Sequence, residues 1–185
     1  MTKPPVNNTS IILLSGGLDS LTCLAIAKNN GEQCYAISFD YGQKHNSELQ
    51  ASINISKQYN IEHKIISLKD LGNLGGSSLT QDNLSVPDFI DNKDKQNKSS
   101  SSIPNTYVPC RNLIFISFAC AYAEIIKASK IYIGVNAIDY SGYPDCREEF
   151  IQNMQNTINS GTKMGDKNCA PKLTTPLVDL TKAQI

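Results

Sequence analysis

The chain has 185 residues, the length of one domain, and a compact fold of that size buries roughly 70% of the surface its unfolded chain exposes. Its 17 basic and 17 acidic side chains cancel, which removes the electrostatic footprint of a protein that grips tRNA or duplex DNA, so the expected partners are small molecules and no nucleic acid. No apolar run approaches a membrane span and Met1 to Ser10 lacks a signal-peptide core, so no membrane partner is expected and the chain reads as cytoplasmic.

The first apolar run, Ile11-Ile12-Leu13-Leu14, predicts a strand buried on both faces and ends at Ser15-Gly16-Gly17. Leu21, Leu24 and Ala25 then repeat at helical spacing from Asp19 to a stop at Asn30-Gly31. A second strand is predicted over residues 33 to 39, which closes a β-α-β unit and implies parallel pairing. The pattern repeats with a helix from Ser47 to Tyr59, carrying Leu49, Ile53 and Ser56 on one face, and a strand from Lys64 to Leu68. His63 reads as a structural residue of that strand pattern.

From Lys69 to Tyr107 regular periodicity fails, and Asp91 to Ser102 contains no apolar residue. Residues of about 72–106 are therefore expected to form a mobile insertion, either a lid over the pocket or an inert loop. Asn112 to Ala128 is apolar on nearly every face and is expected to lie deep. Ile131 to Val135 predicts the next strand, and Arg147 to Ser160 an amphipathic helix with Phe150, Ile151, Met154 and Ile158 inward. Pro171 and Pro176 bracket an edge strand around Leu173-Thr174-Thr175. Thr181-Lys182-Ala183-Gln184 has the spacing of a capping box, which opens a helix just as the chain stops, so a truncated C-terminus is expected. Residues 1–9 are expected to be a flexible tail before a single folded domain over 10–185.

Six cysteines, at 23, 34, 110, 120, 146 and 169, form no C-x-x-C pair and read as buried apolar thiols in a reducing compartment. The chemistry concentrates in the turn Ser15-Gly16-Gly17-Leu18-Asp19-Ser20 between a buried strand and a helix. Glycines let several amides approach one phosphate, the helix N-terminus adds partial positive charge, and Ser15 and Ser20 add hydroxyl donors. Asp19 beside phosphate implies either a helix cap or a divalent ion, Mg2+, that bridges to the phosphates. A plain Gly-Gly turn with an Asp cap competes, whereas a Walker loop and a dinucleotide fingerprint are absent.

Three further segments follow strand ends or precede the apolar helix, on the expected rim of a ligand crevice. In Phe39-Asp40-Tyr41-Gly42-Gln43-Lys44-His45 the aromatics Phe39 and Tyr41 can flank adenine, and Gln43, Lys44 and His45 offer donors. Arg111, in Tyr107-Val108-Pro109-Cys110-Arg111-Asn112, can pair bidentately with a carboxylate or phosphate, or form a plain helix-terminal salt bridge. Ser141 to Arg147 brings together an acid, a base and an aromatic plane. Asp145 could instead cap the helix that starts at Arg147, Cys146 could be a core thiol, and Tyr41 and Tyr143 core aromatics.

S-G-G-L-D-S after an apolar strand resembles the loop of the ATP pyrophosphatase (PP-loop) superfamily. F-D-Y-G-Q-K-H, Y-V-P-x-R-N, G-V-N-A-I-D-Y-S-G-Y-P-D-C-R and L-T-K-A, in that order, narrow the resemblance to the 7-cyano-7-deazaguanine synthase family of queuosine-precursor biosynthesis. The resemblance implies a doubly wound, mostly parallel α/β sheet with helices on both faces, adenine-nucleotide α-hydrolase-like. It also implies a ligase that makes the nitrile from 7-carboxy-7-deazaguanine, ammonia and ATP, and works as a homodimer. By analogy Leu14, Ser15, Gly16, Gly17, Leu18, Asp19, Ser20, Leu21, Thr22, Cys23 and Leu24 bind ATP, with Ser15, Asp19, Ser20 and Arg111 catalytic. Arg111, Asn112, Asp139, Ser141, Gly142, Tyr143, Asp145 and Arg147 hold the substrate or complete the nucleotide site, Asp145 accepting from the guanine-like edge. A bulky residue at Gly17 is expected to abolish turnover.

The sequence departs from the family pattern at Cys110, which stands where a Gly or similarly small residue is usual. Family members also bind zinc through four cysteines beyond the point corresponding to Ile185, and none of the six cysteines here corresponds to them. The rival readings are a tRNA thiolase or amidotransferase-type adenylating enzyme, which the balanced charge opposes, and a non-catalytic nucleotide-binding protein.

Overall fold

The computed structural model describes residues 8–43, 47–80, 103–136 and 142–185. Its elements run β1 (Thr9–Leu13), α1 (Leu18–Asn29), β2 (Gln33–Asp40), α2 (Ser47–Gln58), β3 (Glu62–Ser67) and a short α3 (Lys69–Asn73). Then come α4 (Arg111–Ile126), β4 (Lys130–Tyr132), a 3-10 turn (Pro144–Cys146), α5 (Glu148–Gly161), α6 (Lys163–Asp166) and β5 (Lys172–Thr174). The strands lie in the order β3-β2-β1-β4-β5 and every pair is parallel.

The continuous apolar run of β1 is explained by its two buried faces. Side chains alternate across a strand, so Ile11 and Leu13 join Ile37, Ile131 and Ile133 beneath Ile116, Ala119 and Ala123 of α4 and Met154 and Ile158 of α5. Ile12 and Leu14 point the other way, to Cys23, Leu24 and Ala27 of α1 with Ile55 of α2 at the margin. The protein is thus a doubly wound α/β fold with helices on both faces, as the sequence predicts.

Several expectations shift. β1 already starts at Thr9, inside the predicted tail, and residues 1–7 lie outside the described residues. The centre of the α2 inner face is Ser52 and Ser56, not Leu49 and Ile53, because this helix packs tightly on backbone and polar groups. α4 is not buried all round: Leu113 is 44% exposed, Phe118 40% and Ile125 78%. A helix in an outer layer keeps an outward face whatever its composition.

α3 occupies part of the segment where periodicity fails, since one turn is too short to show a repeat, and Leu71 anchors it on the core. The two ends of the predicted insertion are packed: Leu79 lies against the core and Ser78 N donates to Asn105 O at 2.9 Å. Residues 81–102, the centre of the predicted lid, lie outside the described residues. Of the six cysteines, Cys23, Cys34, Cys120 and Cys146 are buried, while Cys110 and Cys169 are exposed. At Thr181 half of the capping box forms, the Gln184 side-chain oxygen accepting from Thr181 N at 2.8 Å.

At the amino ends of the strands, opposite the crevice described below, Glu32 is buried among donors. Ser10 and Lys130 hydrogen-bond its carboxylate, and the Tyr132 hydroxyl donates at 3.0 Å. Burial pushes this carboxyl up, but the hydrogen bonds from Lys130, Ser10 and Tyr132 outweigh it and hold the group below its ordinary value. A depressed folded-state value stabilises the protein fully above the unfolded value, roughly pH 4.3, and that contribution is lost as the pH falls through the folded value. Urea midpoints measured from pH 5.5 down to 3 should therefore fall, and Glu32→Gln should flatten that slope while costing about 3 kcal/mol at neutral pH.

Candidate active site

The chain leaves β1 toward β2 on one side and returns to β4 on the other, so the topological switch point lies between β1 and β4. Crevices at such points form outside the carboxyl ends of the strands. Here a crevice of about 440 Å³ opens where β1, β2 and β4 end, lined among others by Leu14, Ser38, Phe39 and Val135. The N-termini of α1 and α4 both face it, through Leu18, Asp19 and Arg111.

The loop is held open by its own hydroxyls. Ser20 Oγ donates to Gly17 O at 2.9 Å and accepts from Gly16 N at 3.2 Å and Ser15 Oγ at 3.1 Å. Ser20 is buried by this role, whereas Ser15 is exposed at the mouth. α1 has no side-chain cap, and its first-turn amides have no intrahelical acceptor, so Leu18, Asp19 and Ser20 present N–H groups at the crevice.

Gly16 makes the tight turn. Its φ is +94°, and a Cβ there would sit 2.1 Å from Glu48 O and 2.9 Å from Ser52 N, so α2 backs directly onto the loop. Gly17 is different: its φ is −82°, and a Cβ there would meet only Ser15 Oγ, at 3.5 Å. Since Gly17 lines the crevice, bulk there would compete with a ligand and not with the fold.

Asp19 neither caps α1 nor stands alone. Lys182, from the C-terminal turn, donates to its two carboxylate oxygens at 2.8 and 2.6 Å. Sequence reading saw Lys182 only within a motif, because nothing local links residues so far apart.

Arg111 enters the crevice from the start of α4. Burial alone would push its guanidinium down, but the hydrogen bond to Tyr41 and the neighbouring Asp145 carboxylate outweigh it and hold the group above its usual value. Asp145 Oδ2 accepts from Asn112 N at 3.0 Å, and Asn112 Nδ2 donates to Asp145 O at 2.9 Å. Asp145 therefore caps α4, not the helix that follows it, and it does not line the crevice. Burial, then the Asp145 charge, pushes the Cys146 thiol up to about 11, so it stays protonated. Cys110 sits at φ +57° and ψ 17°, the left-handed region in which a β-carbon costs about 1 kcal/mol over glycine. The turn survives the departure from the family pattern.

Phe39 and Tyr41 line the crevice but are largely used by the core: Phe39 stacks on Phe115 with centroids 4.0 Å apart, and Tyr41 tilts against the same ring at 5.5 Å. Gln43 Oε1 accepts from Tyr41 N at 3.0 Å and shapes that turn. Tyr143 lines the opposite rim, bonded to Thr106 and 6.0 Å from the Tyr107 ring. Gly16, Leu21, Thr22, Cys23, Leu24, Gly142 and Arg147 do not line the crevice, and Cys23 lies in the core with its thiol pushed up to about 12 by burial and by Asp19. Lys44, His45, Asp139 and Ser141 lie outside the described residues. Sequence reading missed Ser38, Glu48, Phe115 and Gly134, whose side chains or backbone reach the crevice from long-range packing.

A parallel doubly wound sheet with a glycine turn at its switch point defines the class, a doubly wound α/β protein. That fold is shared with the solved NH3-dependent NAD synthetase of Campylobacter jejuni, at a TM-score of 0.52 and 19% identity, covering 98% of this chain and 62% of that one. It is shared too with NMN synthetase of Francisella tularensis, at 0.50 and 17%, covering 97% and 59%. Residues 9–185 match the family described as queuosine biosynthesis protein QueC. The chain is 50% identical over 177 residues to the 7-cyano-7-deazaguanine synthase of Acetivibrio thermocellus, covering 95% of this chain and 75% of that protein. It is 52% identical over 176 residues to the synthase of Coxiella burnetii RSA 331, covering 95% and 74%. The chain belongs to the QueC family and is an enzyme of queuosine biosynthesis.

Proposed function

We propose that this crevice converts 7-carboxy-7-deazaguanine, ammonia and ATP to 7-cyano-7-deazaguanine. The observation that carries the reading is the meeting of two helix N-termini at one switch point, one offering open amides and the other a half-buried Arg111. The loop amides and the Ser15 hydroxyl bind the polyphosphate. Arg111 holds the substrate carboxylate against the α-phosphorus, where its oxygen attacks and pyrophosphate leaves. Ammonia adds to the acyl carbon and AMP departs, leaving the amide and releasing a proton. A second ATP activates the amide oxygen as pyrophosphate leaves and one N–H proton is lost, and departure of AMP with the second N–H proton forms the nitrile. Both activations release pyrophosphate, so one loop serves each of them.

Lys182 releases Asp19 and turns to the incoming phosphates, which spreads cationic charge over the leaving group. Mg2+, when bound with the nucleotide, neutralises phosphate charge, and Asp19 is the loop carboxylate that would share it. Among the described residues no group of three or more His, Cys, Asp and Glu is placed to hold a metal ion. A homodimer in the cytoplasm completes the reading. Among the described residues no helix is long and apolar enough to cross a membrane.

Incubation with 7-carboxy-7-deazaguanine, ammonium and ATP should yield the amide and then the nitrile, with one AMP and one pyrophosphate for each activation. ATP binding without AMP release would leave only a nucleotide-binding module.

A further inference from the structure

The phosphate-binding loop is gripped from behind at two points, and both grips lead to His63. β1 leaves its pairing with β2 after Leu13. Leu14 N still donates to Ile37 O at 2.9 Å, but the Leu14 carbonyl takes the Ser38 hydroxyl. That side chain completes the rung and lets the main chain turn out of the sheet into Ser15. The second grip is α2, whose backbone at Glu48 and Ser52 lies against Gly16.

His63 Nε2 lies 2.7 Å from Ser38 Oγ, and Nδ1 lies 3.1 Å from Ser56 Oγ of α2. The single hydroxyl hydrogen of Ser38 is directed to Leu14 O, so Nε2 is the donor of that pair. Burial lowers the imidazole's proton affinity and favours the neutral ring, with its proton on Nε2; Ser56 Oγ, which also donates to Ile53 O at 2.9 Å, shares its one hydrogen between that carbonyl and Nδ1. The result is a directed chain from His63 to Ser38 to the Leu14 carbonyl, in which each bond polarises the next, with Ser56 of α2 seated against Nδ1.

We propose that His63 is a positioning residue for the phosphate-binding loop, holding the Leu14 carbonyl through Ser38 and the helix behind Gly16 through Ser56. The inference rests on the reading that this loop binds the nucleotide's phosphates. His63 touches no reactant; it fixes the peptide plane from which the loop starts.

The test is calorimetric titration of ATP, with steady-state kinetics, on His63→Leu, His63→Gln, Ser38→Ala and the His63→Leu/Ser38→Ala double variant. His63→Leu and Ser38→Ala should each weaken ATP binding about tenfold, the loss expected for one buried hydrogen bond. The double variant should be no weaker than Ser38→Ala, because both changes break one chain. His63→Gln, whose amide N–H replaces Nε2, should stay within about threefold of the parent, and KM for ATP should move more than kcat. A folded His63→Leu protein that binds ATP like the parent, or a His63→Gln protein as weak as His63→Leu, overturns the proposal. Should His63→Leu fail to fold, Ser38→Thr and Ser38→Ala ask the same question: the threonine must retain binding and the alanine must lose it. If the parent itself takes up no ATP, the assignment of the loop to the nucleotide fails, and the proposal with it.

Discussion

A Gly16→Ala variant should lose ATP binding and at least about 3 kcal/mol of stability, while Gly17→Ala keeps the fold. At Gly16 the two costs of a methyl group add. The backbone is at φ +94°, a region that costs roughly 1–3 kcal/mol for a residue with a β-carbon. The methyl would also have to displace the Glu48 carbonyl from 2.1 Å, and that oxygen belongs to the backbone of α2, which cannot move like a side chain. Either α2 retreats and His63 loses Ser56, or the loop opens and its amides disperse. Urea denaturation with ATP titration checks both readouts. A Gly16→Ala protein that unfolds at the parent's midpoint would sink the account of the loop.

Arg111→Lys should reduce kcat/KM by about a hundredfold, and Arg111→Ala by up to about a thousandfold with a loss of stability near 3 kcal/mol. Lysine keeps the charge but loses the planar fork that matches a carboxylate at two points. Alanine also leaves the buried Asp145 carboxylate without the guanidinium that faces it. AMP release at saturating ATP is the measurement, with KM for the carboxylate substrate read separately. If Arg111→Lys matches the parent in kcat/KM, bidentate capture is not its task.

The skeleton was legible because its signals are local. The run Ile11 to Leu14 reads as a strand buried on both sides, and Ile11 and Ile12 do face opposite layers. Asn30-Gly31 marks a helix end because chain termination is a matter of a few adjacent residues. The loop was equally plain as strand, glycines, helix.

What sequence reading missed lies in pairings across the chain. Lys182 and Asp19, Asp145 and Asn112, and Ser38 and His63 are brought together only when the sheet assembles. Phe39 and Tyr41 read as aromatics that can flank adenine, and a sequence cannot say that Phe115 stacks on Phe39 and tilts against Tyr41. The outward Leu113, Phe118 and Ile125 show the same limit, since composition alone does not reveal which layer a helix occupies.

The bond that the Asn112 amide, in the first turn of α4, donates to Asp145 fastens the Tyr143 rim to the Arg111 anchor. On the proposed function, recognition of a ring at that rim and capture of its acid group would consequently not be separate dials. A substitution that re-aims Tyr143 to admit a different heterocycle will also tilt the arginine, so altered selectivity should arrive with slower activation, and recovering both would need paired changes on either side of the tether.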